Sequence, residues 1–321
     1  MKLYSLAVFI FLFTNISTKA QEAAIIVLNV KGHIEYMKDQ SGAKERLLPG
    51  KKISSTGALN LKEDAKVSLL HNGKHIQLDK AGAYDLKTLI DKNDKGLSMS
   101  FAGRFWDFVN EGLSQSDNSD ELNGYNEKLL AVTGGVNGFA MDDDEMSLKT
   151  IMPSTGNIGA QIVTFSWHTS KNKPASYQFT IHHVEEDELV FKAITRDTSI
   201  TLDFGQLVFQ SETSYEWSVE AENAEKKLMK SEQKTFEYFP KPEELFAQIT
   251  EKIPDYKNAD DFEKKWMEAI VMEQENFNFD AYIRYKNLSL QNPENLLIKK
   301  LFASFLVRQG LTQAAIDQIN D

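Results

Sequence analysis

Three short stretches are most informative about the fold of this chain: 165-FSW-167, 177-YQFTI-181 and 215-YEWSVEA-221. In each of them large apolar residues alternate with polar ones, which is the period of a β-strand that buries one face. Together with the β-branched stretch 198–202, the pattern predicts six or seven short strands at a spacing of about ten residues. Residues 151–240 are therefore expected to form a two-layer β-sandwich.

Strands at this spacing are typical of immunoglobulin-like sandwiches, and the three stretches resemble fibronectin type III modules. The resemblance implies loops and sheet edges that face partners, since such modules seldom carry catalytic groups. Tyr215 follows Phe209 by six residues, which suits a tyrosine corner whose hydroxyl bonds to upstream backbone. His182 and His183 are neighbours on a predicted strand, so one should be buried and the other exposed rather than both on one metal ion.

Residues 21–90 carry shorter alternations that are separated by turn residues. The run 25-IIVL-28 opens the segment, and 71-HNGK-74 predicts a type I′ hairpin turn because Asn and Gly tolerate positive φ. At least five strands of about four to six residues follow from this pattern, which is typical of a small β domain.

This segment resembles the FecR-type β domain of bacterial envelope proteins. The positions that carry the resemblance are Val30 and Gly32, Leu47 with Gly50 and Ile53, and Asn72-Gly73 with Ile76. The resemblance implies a location in the cell envelope. Because the best-known members of that family are membrane-spanning regulators, it also implies a sensor-type regulator as one alternative function.

Residues 1–20 have the features of a secretory signal peptide. Lys2 precedes the apolar run 6–13 (LAVFIFLF), and the small residues Thr18 and Ala20 favour cleavage before Gln21. The apolar run is shorter than the roughly twenty residues that a membrane-spanning helix needs. The product is therefore expected to be periplasmic or secreted.

Residues 91–150 form a predicted connector with one amphipathic helix. Phe101, Phe105, Trp106, Val109 and Leu113 recur at helical spacing. The polar face carries little positive charge, which favours a helix docked on the neighbouring β domain over a membrane-surface helix.

The rest of the connector is polar and acidic. A mobile loop is expected over 114–126, followed by a strand or hairpin over 129–141. Asp142, Asp143, Asp144 and Glu145 form the densest charge cluster and are a weak candidate for calcium. A solvated acidic turn is the favoured interpretation, because consecutive acids on a strand point in alternating directions and the calcium-loop pattern is absent.

Residues 241–321 change to a helical composition that repeats at an offset of 34 residues. The matched pairs are Ala269 with Ala303, Met272 with Leu306, Asn276 with Gly310, Phe277 with Leu311, and Ala281 with Ala315. A period of about 34 residues is typical of tetratricopeptide repeats, so the segment is predicted to be tetratricopeptide-like. The fold class that follows is multidomain, mainly β and then α: a FecR-like β domain, a fibronectin III-like β-sandwich and C-terminal helical repeat hairpins.

Composition excludes several classes of function. The 321 residues carry a net charge of −11 and no cysteine, which argues against nucleic acid as a partner and excludes disulfides, thiolate nucleophiles and zinc–thiolate sites. No nucleophile, metal or phosphate-binding motif of a known enzyme class is present. We therefore expect a protein that is not an enzyme and that has no cofactor.

The leading hypothesis is an exported scaffold that binds a protein partner through its helices and β modules. The candidate contacts on the helices are Phe277, Tyr282, Tyr285 and Phe302, of which at least half are expected to belong to the core of the repeat. The alternative is binding of cell-envelope glycan, for which exposed aromatic residues such as Trp106 or Trp217 would stack on sugars.

Overall fold

A computed structural model describes residues 24–38, 44–93, 101–114, 148–169, 174–207, 213–222 and 226–320, together with residues 116, 120, 122–124, 127, 209 and 210. Antiparallel β-sheets make up the N-terminal part, and a helical region forms the C-terminal part. The predicted signal peptide 1–20, the predicted strand 129–141 and the acidic cluster Asp142–Glu145 lie outside the described residues.

The first part of the chain is built from two four-stranded antiparallel sheets. Their strands are β1 (Ile25–Lys31), β2 (Ile34–Met37), β3 (Lys44–Arg46), β4 (Lys52–Ile53), β5 (Ala58–Leu61), β6 (Lys66–His71), β7 (Lys74–Leu78) and β8 (Gly82–Asp85). One sheet has the order β4-β1-β6-β7 and the other has the order β3-β2-β5-β8. Asn72 and Gly73 both have positive φ, at 48° and 70°, which confirms the predicted hairpin turn between β6 and β7.

Strand β1 is apolar on both faces because it separates two cores. Ile25 and Val27 face the core that the two N-terminal sheets share. Ile26 and Leu28 face the opposite way, into a core that continues through the sandwich and the C-terminal helices. This accounts for the unbroken apolar run, since a strand that is covered on both sides loses the alternation of a half-exposed strand.

Two helices follow the N-terminal sheets, α1 (Leu86–Asn93) and α2 (Phe101–Ser114). The amphipathic helix that the sequence predicts is present, and Phe105, Trp106, Val109 and Leu113 are all buried. The helix contacts β6 and β7, as expected, and also the C-terminal helices. The prediction of a mobile loop over 114–126 is wrong in part, because residues 122–124 are helical and Leu122 is fully buried.

The middle part of the chain consists of two facing sheets. The strands are β9 (Leu148–Met152), β10 (Gly156–Ile158), β11 (Ile162–Thr169), β12 (Tyr177–His183), β13 (Leu189–Thr195), β14 (Ser199–Asp203), β15 (Ser214–Glu222), β16 (Leu228–Lys230) and β17 (Lys234–Tyr238). One sheet has the order β14-β11-β9. The other has the order β10-β17-β15-β12-β13, and β16 pairs with β15.

The aromatic residues that decide the fold meet between these two sheets. The ring of Phe165 on β11 lies 4.9 Å from that of Phe179 on β12 and 5.2 Å from that of Trp217 on β15. The backbone N–H of Gln210 donates to the hydroxyl of Tyr215 at 2.7 Å, so the tyrosine corner is present.

On strand β12, His183 is buried whereas the side chain of His182 is 31% exposed. The two imidazoles therefore point to opposite faces of the sheet, as the alternation of a strand requires. Among the described residues, no group of three or more His, Asp or Glu side chains is arranged to hold a metal ion.

The C-terminal part is helical. It contains α3 (Glu243–Thr250), a 3₁₀ turn (Pro254–Asn258), α4 (Asp261–Gln274), α5 (Asn278–Gln291), α6 (Leu296–Arg308) and α7 (Thr312–Asn320). None of the described helices is long and apolar enough to cross a membrane.

The 34-residue offset is visible in the backbone of these helices. Asn276 after α4 and Gly310 after α6 both have positive φ, at 62° and 76°. The next residue donates its N–H back to the helix at each place, from Phe277 to Met272 at 2.8 Å and from Leu311 to Leu306 at 2.8 Å. The α4–α5 and α6–α7 hairpins therefore turn in the same way.

The tyrosine corner gives a prediction with a built-in control. Tyr215→Phe should lower the free energy of unfolding by about 1 kcal/mol, because the N–H of Gln210 loses its acceptor. Tyr177→Phe should leave it unchanged or slightly raise it, since the buried hydroxyl of Tyr177 has no hydrogen-bond partner in the described structure. Urea denaturation of the whole chain measures both. Equal losses in the two variants would contradict a stabilising role for the corner.

Candidate functional site: a cleft between the sandwich and the helices

A cleft of about 570 Å³ opens where the sandwich meets the C-terminal helices. Its walls come from the turn between β10 and β11, the end of β17, helix α3, the 3₁₀ turn, and helices α4 and α5. The lining residues are Gly159, Ala160, Gln161, Gly205, Tyr238, Pro240, Lys241, Pro242, Glu243, Phe246, Ala247, Thr250, Tyr256, Glu268, Met272, Asp280 and Arg284. The cleft therefore combines aromatic, apolar and charged side chains.

Asp280 fastens helix α5 to the sandwich at the centre of the cleft. The backbone N–H of Gly159 donates to its Oδ2 at 2.9 Å, and the N–H of Ala160 also donates to the carboxylate. Burial raises the pKa of Asp280 to about 6, although these backbone donors and the charge of Arg284 oppose the shift. A carboxyl group with a raised pKa in a cleft is a common feature of functional sites.

A second polar group lines the wall formed by helix α4. The hydroxyl of Tyr256 donates to Oε1 of Glu268 at 2.6 Å, and Arg284 lies 3.4 Å from Oε2 of the same carboxylate. Burial and the contact with Glu268 raise the pKa of Tyr256 to about 12, so the phenol stays protonated at neutral pH. The carboxylate of Glu268 is thus held between a hydroxyl donor and a cation.

The cleft continues into a second cavity of about 330 Å³ that shares Ala160, Met272, Asp280 and Arg284 with the first. The second cavity follows helix α5, where its lining residues recur at helical spacing from Asp280 to Gln291. Eleven residues of α-helix rise by about 16 Å. The two cavities therefore form one elongated groove, which we call the α5 groove.

Three of the four aromatic residues named as candidate contacts on the helices lie in the core, where a partner cannot reach them. Phe277, Tyr285 and Phe302 are 1%, 0% and 6% exposed. Tyr282 is half-buried, and its ring packs 5.9 Å from that of Phe302. The rings of Tyr282 and Tyr285 pack against Phe302 between α5 and α6. The ring of Phe277 packs instead against that of Phe246 on α3, at 4.9 Å.

The aromatic residues proposed for sugar stacking are also buried. Trp106 and Trp217 are 4% and 1% exposed, because Trp106 lies on the buried face of helix α2 and Trp217 lies between the two sheets of the sandwich. The indole N–H of Trp217 donates to the carbonyl of Pro153 at 3.1 Å. Neither indole face can stack on a ligand from solvent.

The residues of the cleft have no recognisable sequence pattern. The predicted boundary between residues 151–240 and 241–321 coincides with the cleft, but Asp280 has the pattern of an ordinary acidic residue in the first turn of a helix. Its partners Gly159 and Ala160 are about 120 positions away in the sequence. No local pattern links such distant positions.

The comparisons with known proteins gave partial structural likenesses only. No protein-family profile matches the sequence, and no curated protein is similar to it. A Fn3-like protein from Clostridium thermocellum covers 30% of this chain, over 93% of its own length, with 14% identity and a TM-score of 0.22. The fibronectin(III)-like modules of CbhA from the same organism cover 28%, over 93% of their own length, with 16% identity and a TM-score of 0.22. A β-1,2-glucanase from Parabacteroides distasonis covers 55% of this chain and 34% of its own, with 10% identity and a TM-score of 0.24.

The raised pKa of Asp280 predicts a pH dependence of stability. In the folded chain the Asp280 carboxyl has a pKa of about 6, whereas the ordinary pKa of an Asp carboxyl is 3.8. The folded state therefore binds this proton more tightly than the unfolded state does, and the free energy of unfolding falls as pH rises between these two values. The difference corresponds to about 3 kcal/mol. The free energy of unfolding of Asp280→Asn minus that of the unmodified chain should therefore rise by up to about 3 kcal/mol between pH 4 and pH 7.

Asp203→Asn is the matched control, measured by urea denaturation across the same pH series. The pKa of Asp203 is lowered from its ordinary value of 3.8, chiefly by the hydrogen bond from Gln161, so the relative stability of this variant changes below that pH and should stay nearly constant from pH 4 to pH 7. A similar rise in both variants between pH 4 and pH 7 would contradict the assignment of the raised pKa to Asp280.

Proposed function

We propose that the chain is an exported, non-enzymatic interaction protein of the cell envelope that binds an extended segment of a protein partner in the α5 groove. On this proposal residues 21–90 are a FecR-like module, 151–240 a fibronectin III-like module and 241–321 a tetratricopeptide-like segment. The observation that carries the proposal is the elongated groove at the junction of the sandwich and the helices.

The shape of the groove supports a chain-like ligand. Its length along α5 is about 16 Å, which accommodates about five residues of extended polypeptide at about 3.3 Å each. The end next to the sandwich is bounded by Pro240 and Pro242, and the other end is lined by Gln291.

The chemistry of the groove supports a polypeptide over a glycan. Along one face of α5 an acid, an aliphatic residue, a base and an amide follow one another: Asp280, Ile283, Arg284 and Asn287. An extended partner segment that carries polar, aliphatic and charged side chains could contact each of these groups in turn. Ile283, which is 38% exposed, offers nothing to the hydroxyl groups of a sugar but favours an aliphatic side chain.

Another reason to favour the groove is that helix α2 occupies part of the helical surface. Helix α2 packs on α6, where Arg308 lies over the ring of Phe108 at 4.7 Å. Gly112 approaches Ser304 so closely that a Cβ atom at position 112 would lie 2.9 Å from the Ser304 hydroxyl. A partner helix could not lie at this place without displacing α2.

Site-specific photo-crosslinking tests the proposal. A photoreactive amino acid at Ile283 should crosslink one envelope protein through a contiguous segment, whereas the same group at Leu245 should not. Leu245 is the matched control, because its exposure of 39% is close to the 38% of Ile283 and it does not line the groove. Arg284→Ala should reduce the yield at Ile283 at least fivefold. Mass spectrometry of the crosslinked peptides reads out both results.

Two outcomes would overturn the proposal. Equal crosslinking from positions 283 and 245 would show contact without a defined site. The other is that no protein is crosslinked while the unmodified chain co-sediments with cell-wall polymer and Arg284→Ala does not. That result would make the groove a glycan site instead.

A further inference from the structure

The sheet edges of the described structure differ in what covers or protects them. Strand β7 is contacted by helix α2, and β10 is contacted by helix α5. Strand β3 is the edge of its sheet and consists of three exposed charged residues, Lys44–Arg46. Charged side chains and covering helices are the usual ways in which proteins keep sheet edges from pairing with other chains.

Strand β13 differs from these three edges. It pairs with β12 on one side and ends the sheet on the other. Two of its aliphatic side chains are strongly exposed, Leu189 at 48% and Ile194 at 72%. An open edge of seven residues with exposed aliphatic groups is a template for a further strand.

The two ends of this edge strand carry opposite charges. Glu188 lies just before the strand and Arg196 lies just after it, and both are exposed. Neither has an ion-pair partner among the residues that the structure describes. Lys192 lies midway between them and is also exposed.

From this arrangement we infer that β13 pairs antiparallel with β13 of a second copy of this chain, about a two-fold axis at Lys192. In this register position i faces position 384 − i, so Glu188 faces Arg196 and Val190 faces Ile194 on both sides of the axis. Opposite charges and aliphatic pairs directly across an antiparallel ladder are stabilising. The sandwich sheets of the two copies then become one continuous sheet.

The charges also select this register over its neighbours. An axis at Phe191 would place Glu188 opposite Ile194, and an axis at Ala193 would place Lys192 opposite Ile194. Each of these registers sets a charge against an aliphatic group and loses both Glu188–Arg196 pairs. The unfavourable contacts of the chosen register are between the two Lys192 side chains at the axis and, beyond each end of the strand, between Asp187 and Asp197.

Disulfide trapping of the full chain tests the proposal directly, because the chain has no cysteine of its own. Residues at the two-fold axis lie about 4.5–5.5 Å apart between Cα atoms, which is a distance that a disulfide can bridge. Lys192→Cys should therefore give a covalent dimer under mild oxidation. Lys230→Cys is the matched control: it is a lysine with a half-exposed side chain on β16 of the same sheet, and it should stay monomeric.

Sedimentation equilibrium of cysteine-free variants tests the register. Ile194→Lys should raise the dimer Kd at least tenfold. Glu188→Arg and Arg196→Glu should each weaken the dimer, and the double variant should restore it. Lys192→Gln should lower the Kd about threefold, because it removes the like-charge contact at the axis.

Two results would overturn the proposal. One is that the unmodified chain is monomeric at all accessible concentrations. Lys192 would then be a residue that prevents pairing between copies, and any strand that pairs with β13 would come from a different protein. The other is equal disulfide formation from positions 192 and 230. Neither result bears on the α5 groove, so this inference and the proposed function fail independently.

Discussion

The contacts of one indole, Trp106, hold the N-terminal sheets, helix α2 and the C-terminal helices together. The ring stacks on His75 of β7 at 4.5 Å and meets Trp266 of α4 edge-on at 6.0 Å. Its N–H donates to Asp255 at 3.0 Å, and the other oxygen of that carboxylate lies 2.9 Å from Nδ1 of His75. Burial alone would raise the pKa of Asp255, but these contacts lower it, so the carboxylate is ionised at neutral pH.

This junction fixes α2, and the position of α2 in turn shapes the helical region. Arg308 of α6 binds both oxygens of Glu273 on α4, at 2.5 and 2.9 Å, and lies over the ring of Phe108 on α2. The carboxylate of Glu273 is 6% exposed and would be costly to bury without this partner. The ion pair therefore depends on the same helix packing that places α2 against α6, and no residue of the docked helix lines the α5 groove.

Sequence patterns predicted the elements of this structure better than they predicted its surfaces. Alternation identified the strands of the sandwich, and the 34-residue offset identified the equivalent turns at Asn276 and Gly310. Both patterns report which face of an element is apolar, and that is a local property of the chain. They do not report which element covers the face, so Phe277 and Tyr285 could equally have been surface or core. The distinction depends on contacts between helices that are separated in sequence.

The same reasoning explains why a ligand in the α5 groove would act on the whole molecule. The groove exists because the turn at Gly159 and the first turn of α5 are joined through Asp280, and the hydrogen bonds from Asn157 and Asn278 lie beside this contact. A segment bound there touches the sandwich and the helices at once. Any ligand that binds only when the two parts are docked stabilises the docked arrangement in proportion to its affinity. Binding in the groove and the rigidity of the junction are therefore thermodynamically linked, and partner binding should protect the backbone amides at Gly159 and Ala160 from exchange.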